Sequence, residues 1–404
     1  MPVEGSFLLN SPTCTKCLLS AIAVITASAG AAEIAVPGDF ADLQAAIDAA
    51  TPGDEIVVSP GEYQGNIQID KDVIVRSLNG ADSTSVLGNG NGPAVILESS
   101  DSQGGALIGF TVSGGAGQNG GGLFLSGDVA VIDCTVTGNT AQNGGGAFIV
   151  GSPTLSAVRF HSNIADQGGG VFLSPDSMPL LDLCDFYENT ADSGGGLYVS
   201  PRGGQTTYAT IGAGSFERNT AVDGAGIYAE MGGFEVVDSE FIGNVASDRG
   251  GSVFVADGEF SSFLATSMEG GEADEGGAFF LTGAGEMRVQ GSEIYENTSG
   301  PDSAAVTVAD GFMFEMMGSA LWANTPDSMS GAWEDLGDNE FSAPQLCEID
   351  YVAPFGLIDM QDLMRFIDLF MTGQPEADLA LPEGMLDLSD LLAFINMYYS
   401  GCDL

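Results

Sequence analysis

Six aspartates near the C-terminal end have the chemistry and spacing of metal ligands. They form two sets of three that are related by an interval of 28 residues: Asp350, Asp359 and Asp362, then Asp378, Asp387 and Asp390. Carboxylates spaced along a loop with a turning glycine are typical of Ca²⁺ sites, and each copy contains such a glycine. The intervening loop positions are apolar and supply no side-chain ligand. Two interpretations therefore stay open, a pair of Ca²⁺ loops and a metal-free helix pair that is held by its apolar faces.

Residues able to perform acid–base catalysis are scarce. The chain of 404 residues has one His and nine Lys and Arg against 56 Asp and Glu. His161 follows Phe160 and is interpreted as a surface residue in a turn. The basic residues of the repeat region are scattered singly, and carboxylate pairs are inevitable among so many acids. No catalytic residue is predicted.

A row of aromatic residues is the strongest candidate for a ligand-binding surface. In the segment GGLFLSG, Leu123 and Leu125 are predicted to point inward, so that Phe124 points outward. If the alternation is inverted, these rings belong to the core instead. Equivalent outward positions at the strand spacing would form a platform for carbohydrate or protein, and seven residues occupy them: Phe124, Phe148, Phe172, Tyr198, Tyr228, Phe254 and Phe280.

Charge excludes several classes of partner. The formal net charge is −47, whereas nucleic acid and anionic lipid surfaces require clustered Lys and Arg. The aspartates also form a row of their own, in which counter-ions or bridging Ca²⁺ would offset the mutual repulsion. Its members precede successive glycine corners: Asp166, Asp192, Asp223, Asp248, Asp274 and Asp302.

A repeat of about 25 residues must position all of these side chains. An apolar residue three positions before an Asn recurs, as in Phe160/Asn163 and Phe186/Asn189. Short strands with glycine turns at this period are typical of a parallel β-helix, in which each repeat forms one coil and equivalent side chains stack in ladders. A helical solenoid tolerates few glycines, and a propeller blade needs about 40–45 residues. Glycine pairs or triplets open the segments at Gly120, Gly144, Gly168, Gly194, Gly224, Gly250 and Gly276.

The N-terminal residues 1–32 are predicted to be a signal peptide. A short apolar run over Leu18–Thr26 precedes small residues that suit cleavage. The mature protein is therefore predicted to be secreted or on the cell surface, with no membrane span after the leader is removed.

The remainder of the chain is divided into a solenoid and a small module. Residues 33–341 are predicted to form the β-helix, with a cap and the first coils over 33–103 and the repeat coils over 104–341. A short amphipathic helix over Phe40–Ala50 is predicted to cover the open end. Residues 345–404 contain the duplicated unit, in which each loop leads into an amphipathic helix.

Of the four cysteines that follow the leader, two are predicted to be free thiols and two are predicted to form a disulfide. Cys134 and Cys184 occupy one ladder position two coils apart, which separates their backbones by about 9.6 Å at the strand spacing. A disulfide needs Cα atoms within about 7 Å, so both are predicted to be free, buried thiols. Cys347 and Cys402 flank the duplicated module and are predicted to form a disulfide.

Two parts of the solenoid resemble known β-helical families. Residues 36–90, with a helix followed by PGDEIVVSPGEY, resemble the opening of pectin-lyase-like right-handed parallel β-helix proteins. Residues 104–325 are similar to the GGA[ILV] and FxxN repeats of the polymorphic outer-membrane proteins, which are β-helical surface adhesins. These resemblances imply an all-β fold with a right-handed parallel β-helix.

The duplicated module, residues 345–404, looks like a dockerin, a pair of loop–helix repeats that plugs into a partner and usually binds calcium. The resemblance implies attachment to a cohesin-like or cell-envelope protein. We therefore predict a non-catalytic binding, adhesion or scaffold protein, with carbohydrate as a candidate ligand. The alternative is a carbohydrate-active enzyme of the pectin-lyase fold, a polysaccharide lyase or a glycoside hydrolase, because function resides in sites and not in the fold.

Overall fold

The computed structural model contains forty strands and one named helix, and it describes residues 31–99, 104–199, 207–341, 365–367 and 369. Most of the predicted leader, Cys347, Cys402 and the six candidate metal-ligating aspartates lie outside the described residues.

Helix α1 spans Leu43–Ala49. The strands in chain order are β1 Glu33–Val36, β2 Glu55–Val58, β3 Gly61–Gln64, β4 Ile67–Ile69, β5 Ile74–Ser77, β6 Thr84–Leu87, β7 Val95–Glu98, β8 Ala106–Ile108, β9 Thr111–Ser113, β10 Ala116–Asn119, β11 Leu123–Ser126, β12 Ala130–Ile132, β13 Thr135–Thr137, β14 Thr140–Asn143, β15 Ala147–Val150, β16 Thr154–Ser156, β17 Arg159–His161, β18 Ile164–Gln167, β19 Val171–Leu173, β20 Leu180–Asp182, β21 Asp185–Tyr187, β22 Leu197–Val199, β23 Tyr208–Gly212, β24 Ser215–Glu217, β25 Thr220–Asp223, β26 Ile227–Glu230, β27 Gly233–Val237, β28 Glu240–Ile242, β29 Val245–Arg249, β30 Val253–Ala256, β31 Ser261–Leu264, β32 Ser267–Glu269, β33 Phe279–Thr282, β34 Gly285–Gln290, β35 Glu293–Tyr295, β36 Val306–Val308, β37 Phe312–Met317, β38 Ala320–Trp322, β39 Met329–Gly331 and β40 Glu334–Asp335.

The strands form three long parallel sheets, here called sheets 1, 2 and 3. Sheet 1 has the order β1-β2-β5-β8-β12-β16-β20-β23-β27-β31-β34-β37-β40. Sheet 2 has the order β3-β6-β9-β13-β17-β21-β24-β28-β32-β35-β38, and sheet 3 runs β4-β7-β11-β15-β19-β22-β26-β30-β33-β36-β39. Two short sheets, β10-β14-β18 and β25-β29, lie between sheets 2 and 3 in chain order. The chain is therefore an all-β parallel β-solenoid of about eleven turns, and the prediction of a parallel β-helix is confirmed.

The core consists of ladders of apolar side chains from successive coils. Phe160, Phe186, Phe216 and Phe241 have no exposed surface and stack with ring centroids 4.5–5.4 Å apart. Strand alternation places these rings inside because their sequence neighbours on either side point outward. The predicted inner Phe stack is confirmed.

The predicted Asn ladder lines one corner of most coils from Asn139 to Asn324. The Asn163 side-chain amide donates to Oδ1 of Asn189 at 3.1 Å and to the carbonyl oxygen of Val136 at 2.9 Å. The Asn189 amide continues the chain to Asn219 at 3.1 Å. All three side chains are fully buried, so these bonds satisfy polar groups that water cannot reach.

Glycine is required at the corner that precedes sheet 3. Gly144 has a φ of 69°, and a Cβ built there would lie 2.1 Å from the carbonyl oxygen of Ala147. Any larger residue would both strain the backbone and collide with it. At the next position, a Cβ on Gly145 would lie 2.6 Å from the carbonyl oxygen of Gly169 in the following coil, so packing between coils also requires glycine, which explains the regular spacing.

Helix α1 packs against the N-terminal end of the solenoid. The Asp42 side chain accepts a hydrogen bond from the Ala45 N–H and so caps the first turn. Leu43, Ala46 and Ile47 are buried, and the helix contacts β1, β2 and β4. In the part of the chain that the structure describes, no helix is long and apolar enough to cross a membrane.

The coils differ in length at one corner more than elsewhere. In the repeat coils the chain advances five residues between sheets 1 and 2, as from Thr154 to Arg159. From sheet 3 to sheet 1 the advance is seven residues between Ala147 and Thr154 but thirteen between Leu197 and Thr210. Sheets 2 and 3 keep their pairing despite these differences.

Candidate functional site

The aromatic row lies on the outer side of the coils, but its rings are largely covered. Leu123 and Leu125 are fully buried in the core, so Phe124 points away from it as predicted. Phe124 and Tyr228 are half-buried. The expectation of exposed rings is wrong for the other five, which are only 2–8% exposed: Phe148, Phe172, Tyr198, Phe254 and Phe280.

Stacking along the solenoid axis explains this burial. Successive rings are 4.8–5.7 Å apart between centroids, with planes within 13° of parallel. Each ring therefore covers the faces of its neighbours and leaves only edges for solvent. The Gln167 amide also donates to the Tyr198 hydroxyl at 3.1 Å, and the Arg249 guanidinium carbon lies 4.8 Å from the Phe254 centroid. The row is an outer apolar cluster, and its faces are not open to a ligand.

The acidic row is interrupted at Asp223. This residue is in register with Ser193 and Arg249, not with Asp192 and Asp248, and the pairing of β25 with β29 shifts its register between Ala221 and Asp223. Its carboxylate accepts two hydrogen bonds from Arg249, at 2.9 and 2.8 Å. The other five members are exposed. Among the described residues, no group of three or more His, Cys, Asp or Glu is placed to hold a metal ion.

A polar cleft on the outer face of sheet 2 is the best candidate site. It is formed by β17, β21 and β24, whose central Phe side chains point into the core, so that the residues on either side point outward. The cleft has a volume of about 470 Å³ and six lining residues: Arg159, His161, Asp185, Tyr187, Ser215 and Glu217.

A second cavity of about 460 Å³ adjoins this cleft. Arg159 and Asp185 line both cavities, and the second continues toward sheet 1 past Asp133 and the loop at Asn79 and Asp82. The two cavities together form a groove that runs across the coils. A groove of this kind can hold an extended ligand.

Arg159, which lines the cleft, and Arg218, which lies beside it, are paired with carboxylates at 3.3–3.7 Å, and Arg218 also donates to the Tyr187 hydroxyl. Nε of Arg159 lies 3.7 Å from Oδ2 of Asp185, and Nε of Arg218 lies 3.7 Å from Oε1 of Glu188. Arg218 also lies over the Tyr187 ring, with its guanidinium carbon 4.6 Å from the centroid. Both arginine side chains are more than half exposed. They are therefore able to donate to a ligand.

The other cations of the solenoid that the structure describes are held in structural contacts. Arg249 is bidentate to Asp223, and Arg288 donates twice to Glu315. Arg76 is paired with Glu55. The ammonium group of Lys71 donates to two carbonyl oxygens at the end of α1. The more exposed pair, Arg159 and Arg218, thus lies at the cleft that holds the single histidine.

His161 lines the cleft from β17 and is a titratable group with a shifted pKa. Burial, with a smaller effect from the positive charge of Arg159, lowers its pKa from the ordinary value. Its Nδ1 lies 3.2 Å from the Thr137 hydroxyl. Tyr187 has a raised pKa because it is hydrogen-bonded to Glu188 and partly desolvated. At neutral pH the cleft thus presents a neutral imidazole and a neutral phenol between carboxylates and guanidinium groups.

Sequence reasoning did not find this site, since His161 was interpreted as an isolated turn residue. The structure instead places it in β17, in register with Tyr187 and next to Arg159. The signal was present in the Asn ladder, because His161, Tyr187 and Glu217 each lie two residues before a ladder Asn. Aligning the repeats on that Asn would have placed the three side chains in one column.

Cys134 and Cys184 are free and buried, as predicted. Desolvation raises the pKa of each thiol to about 12, so neither is a nucleophile at neutral pH. The Cys134 thiol donates to the carbonyl oxygen of Ile132, and Cys184 donates to that of Asp182. Both act as small core residues.

Comparisons with known proteins give only distant likenesses. No family model and no curated protein sequence matches the chain. A solved structure, ORF18 of Geobacillus virus E2, is 12% identical with a TM-score of 0.40, over 74% of this chain and 56% of that one. A rice weevil pectin methyl esterase is 14% identical with a TM-score of 0.27, over 79% of this chain and 90% of that one. The chain thus spans little more than half of the virus protein, and neither likeness carries an argument about activity.

Proposed function

We propose that this protein is an exported, right-handed β-helix whose sheet 2 cleft binds a neutral carbohydrate chain, without turnover. The observation that carries the proposal is the set of six polar side chains from three adjacent strands around one cleft. One guanidinium group, a phenol, an imidazole, a hydroxyl and two carboxylates offer both donors and acceptors, which is what a polyhydroxylated ligand requires.

The charge of the molecule favours a neutral ligand over an acidic one. The chain carries a net charge of −47, so a bare polyanion is repelled at long range. In and beside the cleft, two arginines, Arg159 and Arg218, face three carboxylates, those of Asp185, Glu188 and Glu217. The local charges nearly balance, which suits a ligand that hydrogen-bonds without a net charge.

We further propose that residues 345–404 attach the solenoid to a cohesin-like or cell-envelope partner outside the cell. The duplicated sequence and the leader-like run at Leu18–Thr26 support this proposal. Ca²⁺ held by the duplicated aspartates would order the module. Helix α1, which packs on β1, β2 and β4, is proposed to act as the cap of the N-terminal end.

The binding proposal is tested by screening the full chain against neutral and acidic glycans and then titrating the best neutral ligand. Glu217→Gln removes a charge-assisted acceptor, worth about 1.5–3 kcal/mol, so we expect affinity to fall by about 10- to 100-fold. Glu240→Gln is the matched control, because Glu240 is exposed on the same face of sheet 2 and does not line the cleft. Equal affinities of the two variants would contradict the proposed site.

A carbohydrate-active enzyme is the second candidate, favoured by one observation. A neutral imidazole lines the same cleft as the Asp185 and Glu217 carboxylates, and groups of these types are suited to general acid–base work. Incubating the full chain with the bound glycan and analysing the products distinguishes the two. Steady product release that is lost in His161→Gln would favour the enzyme, whereas unchanged glycan supports the binding protein.

A further inference from the structure

The last coils carry an aromatic pair on the outer face of sheet 2. Tyr295 and Trp322 end strands β35 and β38, and their rings stack with centroids 4.6 Å apart and planes 2° from parallel. Ile294 and Leu321, the residues before them, are fully buried in the core. Strand alternation therefore directs the two rings outward, in the same column as Tyr187.

The burial of this pair is greater than its position in the sheet explains. β38 is the last strand of sheet 2 among the described residues, and beyond it the sheet adds only a bridge between Ala320 and Glu340, so no described residue of that sheet pairs with Trp322 on the side opposite Tyr295. Trp322 is nevertheless only 7% exposed and Tyr295 only 3%. Tyr187 is half-buried, although it lies in mid-sheet between neighbouring coils. Part of the protein must therefore cover the Tyr295–Trp322 pair from outside the sheet.

A helical segment beyond the solenoid has the complementary feature. Residues 365–367 and 369 are helical, and Phe366 and Leu369 are buried while Arg365 and Ile367 are exposed. Phe366 and Leu369 are three positions apart and so lie on one face of the helix. The chain reaches this helix directly after the last coil, which ends near Phe341. About 24 residues in between can span up to about 80 Å, far more than the width of the solenoid.

We propose that the module of residues 345–404 docks on the solenoid through Phe366 and Leu369, which cover the Tyr295–Trp322 pair. This inference goes beyond the proposed attachment to a partner, because it assigns one face of the first helix to a contact within the same chain. The module is thereby held at the C-terminal end of sheet 2, the sheet that carries the cleft. A partner would bind the remaining faces of the module, and the cleft would keep a fixed orientation relative to it.

Fluorescence of the full chain tests the contact. The chain has two tryptophans, so Trp333→Phe leaves Trp322 as the only reporter. In this background we expect Trp322 to be shielded from acrylamide. Phe366→Asp should raise the quenching constant twofold or more and shift the emission to the red, because a buried charge opens the contact. Ile367→Asp is the matched control, since Ile367 is exposed on the same turn, and it should leave quenching unchanged.

Hydrogen exchange provides the reciprocal measurement. Trp322→Ser should speed amide exchange in the peptide around Phe366 and Leu369, with far-UV circular dichroism confirming that the solenoid stays folded. The milder Leu369→Ala should act in the same direction if Phe366→Asp unfolds the chain. Unchanged quenching and unchanged exchange in these variants would overturn the proposal. Shielding of Trp322 that disappears on dilution would also overturn it, because a second copy would then be the cover.

Discussion

His161 reports on the candidate cleft at the scale of a single residue. Because the chain has one histidine, a single imidazole resonance can be followed by NMR across a pH titration. We expect it to titrate below the ordinary value of 6.5, since burial and the charge of Arg159 both disfavour the imidazolium. Arg159→Gln should raise this pKa and Glu188→Gln should lower it further. Shifts of the same sign in both variants would contradict the placement of His161 between these charges.

The same residue links stability to pH. The pKa of His161 is lower in the folded than in the unfolded chain, so the unfolded chain takes up the proton first on acidification. The contribution of His161 is fully present above about pH 6.5 and is lost as the pH falls from there through the folded pKa. The free energy of unfolding of the wild type should therefore fall relative to that of His161→Gln between neutral and mildly acidic pH. Urea unfolding of both proteins measures this difference. A difference that does not change with pH would show that the imidazole is not desolvated.

At the scale of elements, the Asn ladder is where removal of a side chain should lower the free energy of unfolding most per atom removed. Asn189→Ala removes the acceptor for the backbone and side-chain N–H groups of Asn163 and the donor to the Phe160 carbonyl. Buried groups that lose their partners cost about 1–3 kcal/mol each, so we expect a loss of about 2–4 kcal/mol. Asn91→Ala makes the same chemical change at an exposed position and should cost less than about 0.5 kcal/mol. Chemical denaturation of both variants measures the difference.

The outer aromatic row makes a second prediction at the scale of elements. Phe172 is 8% exposed and stacks between Phe148 and Tyr198. Phe172→Ser should destabilise the fold by about 3 kcal/mol, near the lower limit for buried Phe truncations. Val222→Ser is the control, because Val222 is 41% exposed and should change stability by less than about 0.5 kcal/mol. A folded, equally stable Phe172→Ser protein with reduced ligand binding would restore the row as a binding surface.

The difference between the predicted and observed elements has a physical cause. Glycine corners and the Asn ladder were predictable because each depends on contacts with the same position in the next coil, which repeats in the sequence. The burial of the Phe172 row depends instead on ring orientation and on Gln167 and Arg249 from neighbouring strands. Strand alternation correctly predicts that Phe172 faces away from the core, but it does not predict that stacked rings cover one another. The cleft at Arg159 was missed because its walls come from three coils.

At the scale of the whole molecule, charge opposes compaction. The whole chain carries a net charge of −47, and most of the acidic row of the solenoid is exposed. Raising NaCl should therefore raise the melting temperature, because screening weakens this self-repulsion. Each kcal/mol gained should correspond to about 1–2 °C in a chain of this size. Choline chloride should act equally at the same ionic strength, and an additional increase with CaCl2 alone would indicate bridging by Ca²⁺. No increase with any salt would show that the charges are already neutralised.

The corner between sheets 3 and 1 has a consequence for how such a chain can change over generations. Coils that differ there, seven residues from Ala147 to Thr154 and thirteen from Leu197 to Thr210, still pair in register on sheets 2 and 3. Insertions and deletions at this corner are therefore absorbed locally and do not shift the ladders of neighbouring coils. Unequal recombination can add or remove whole repeats, and short insertions can lengthen this one loop, while the cleft-bearing face is inherited unchanged. Sequence changes at the corner between sheets 3 and 1 can thus be selected without disturbing the face that carries the cleft.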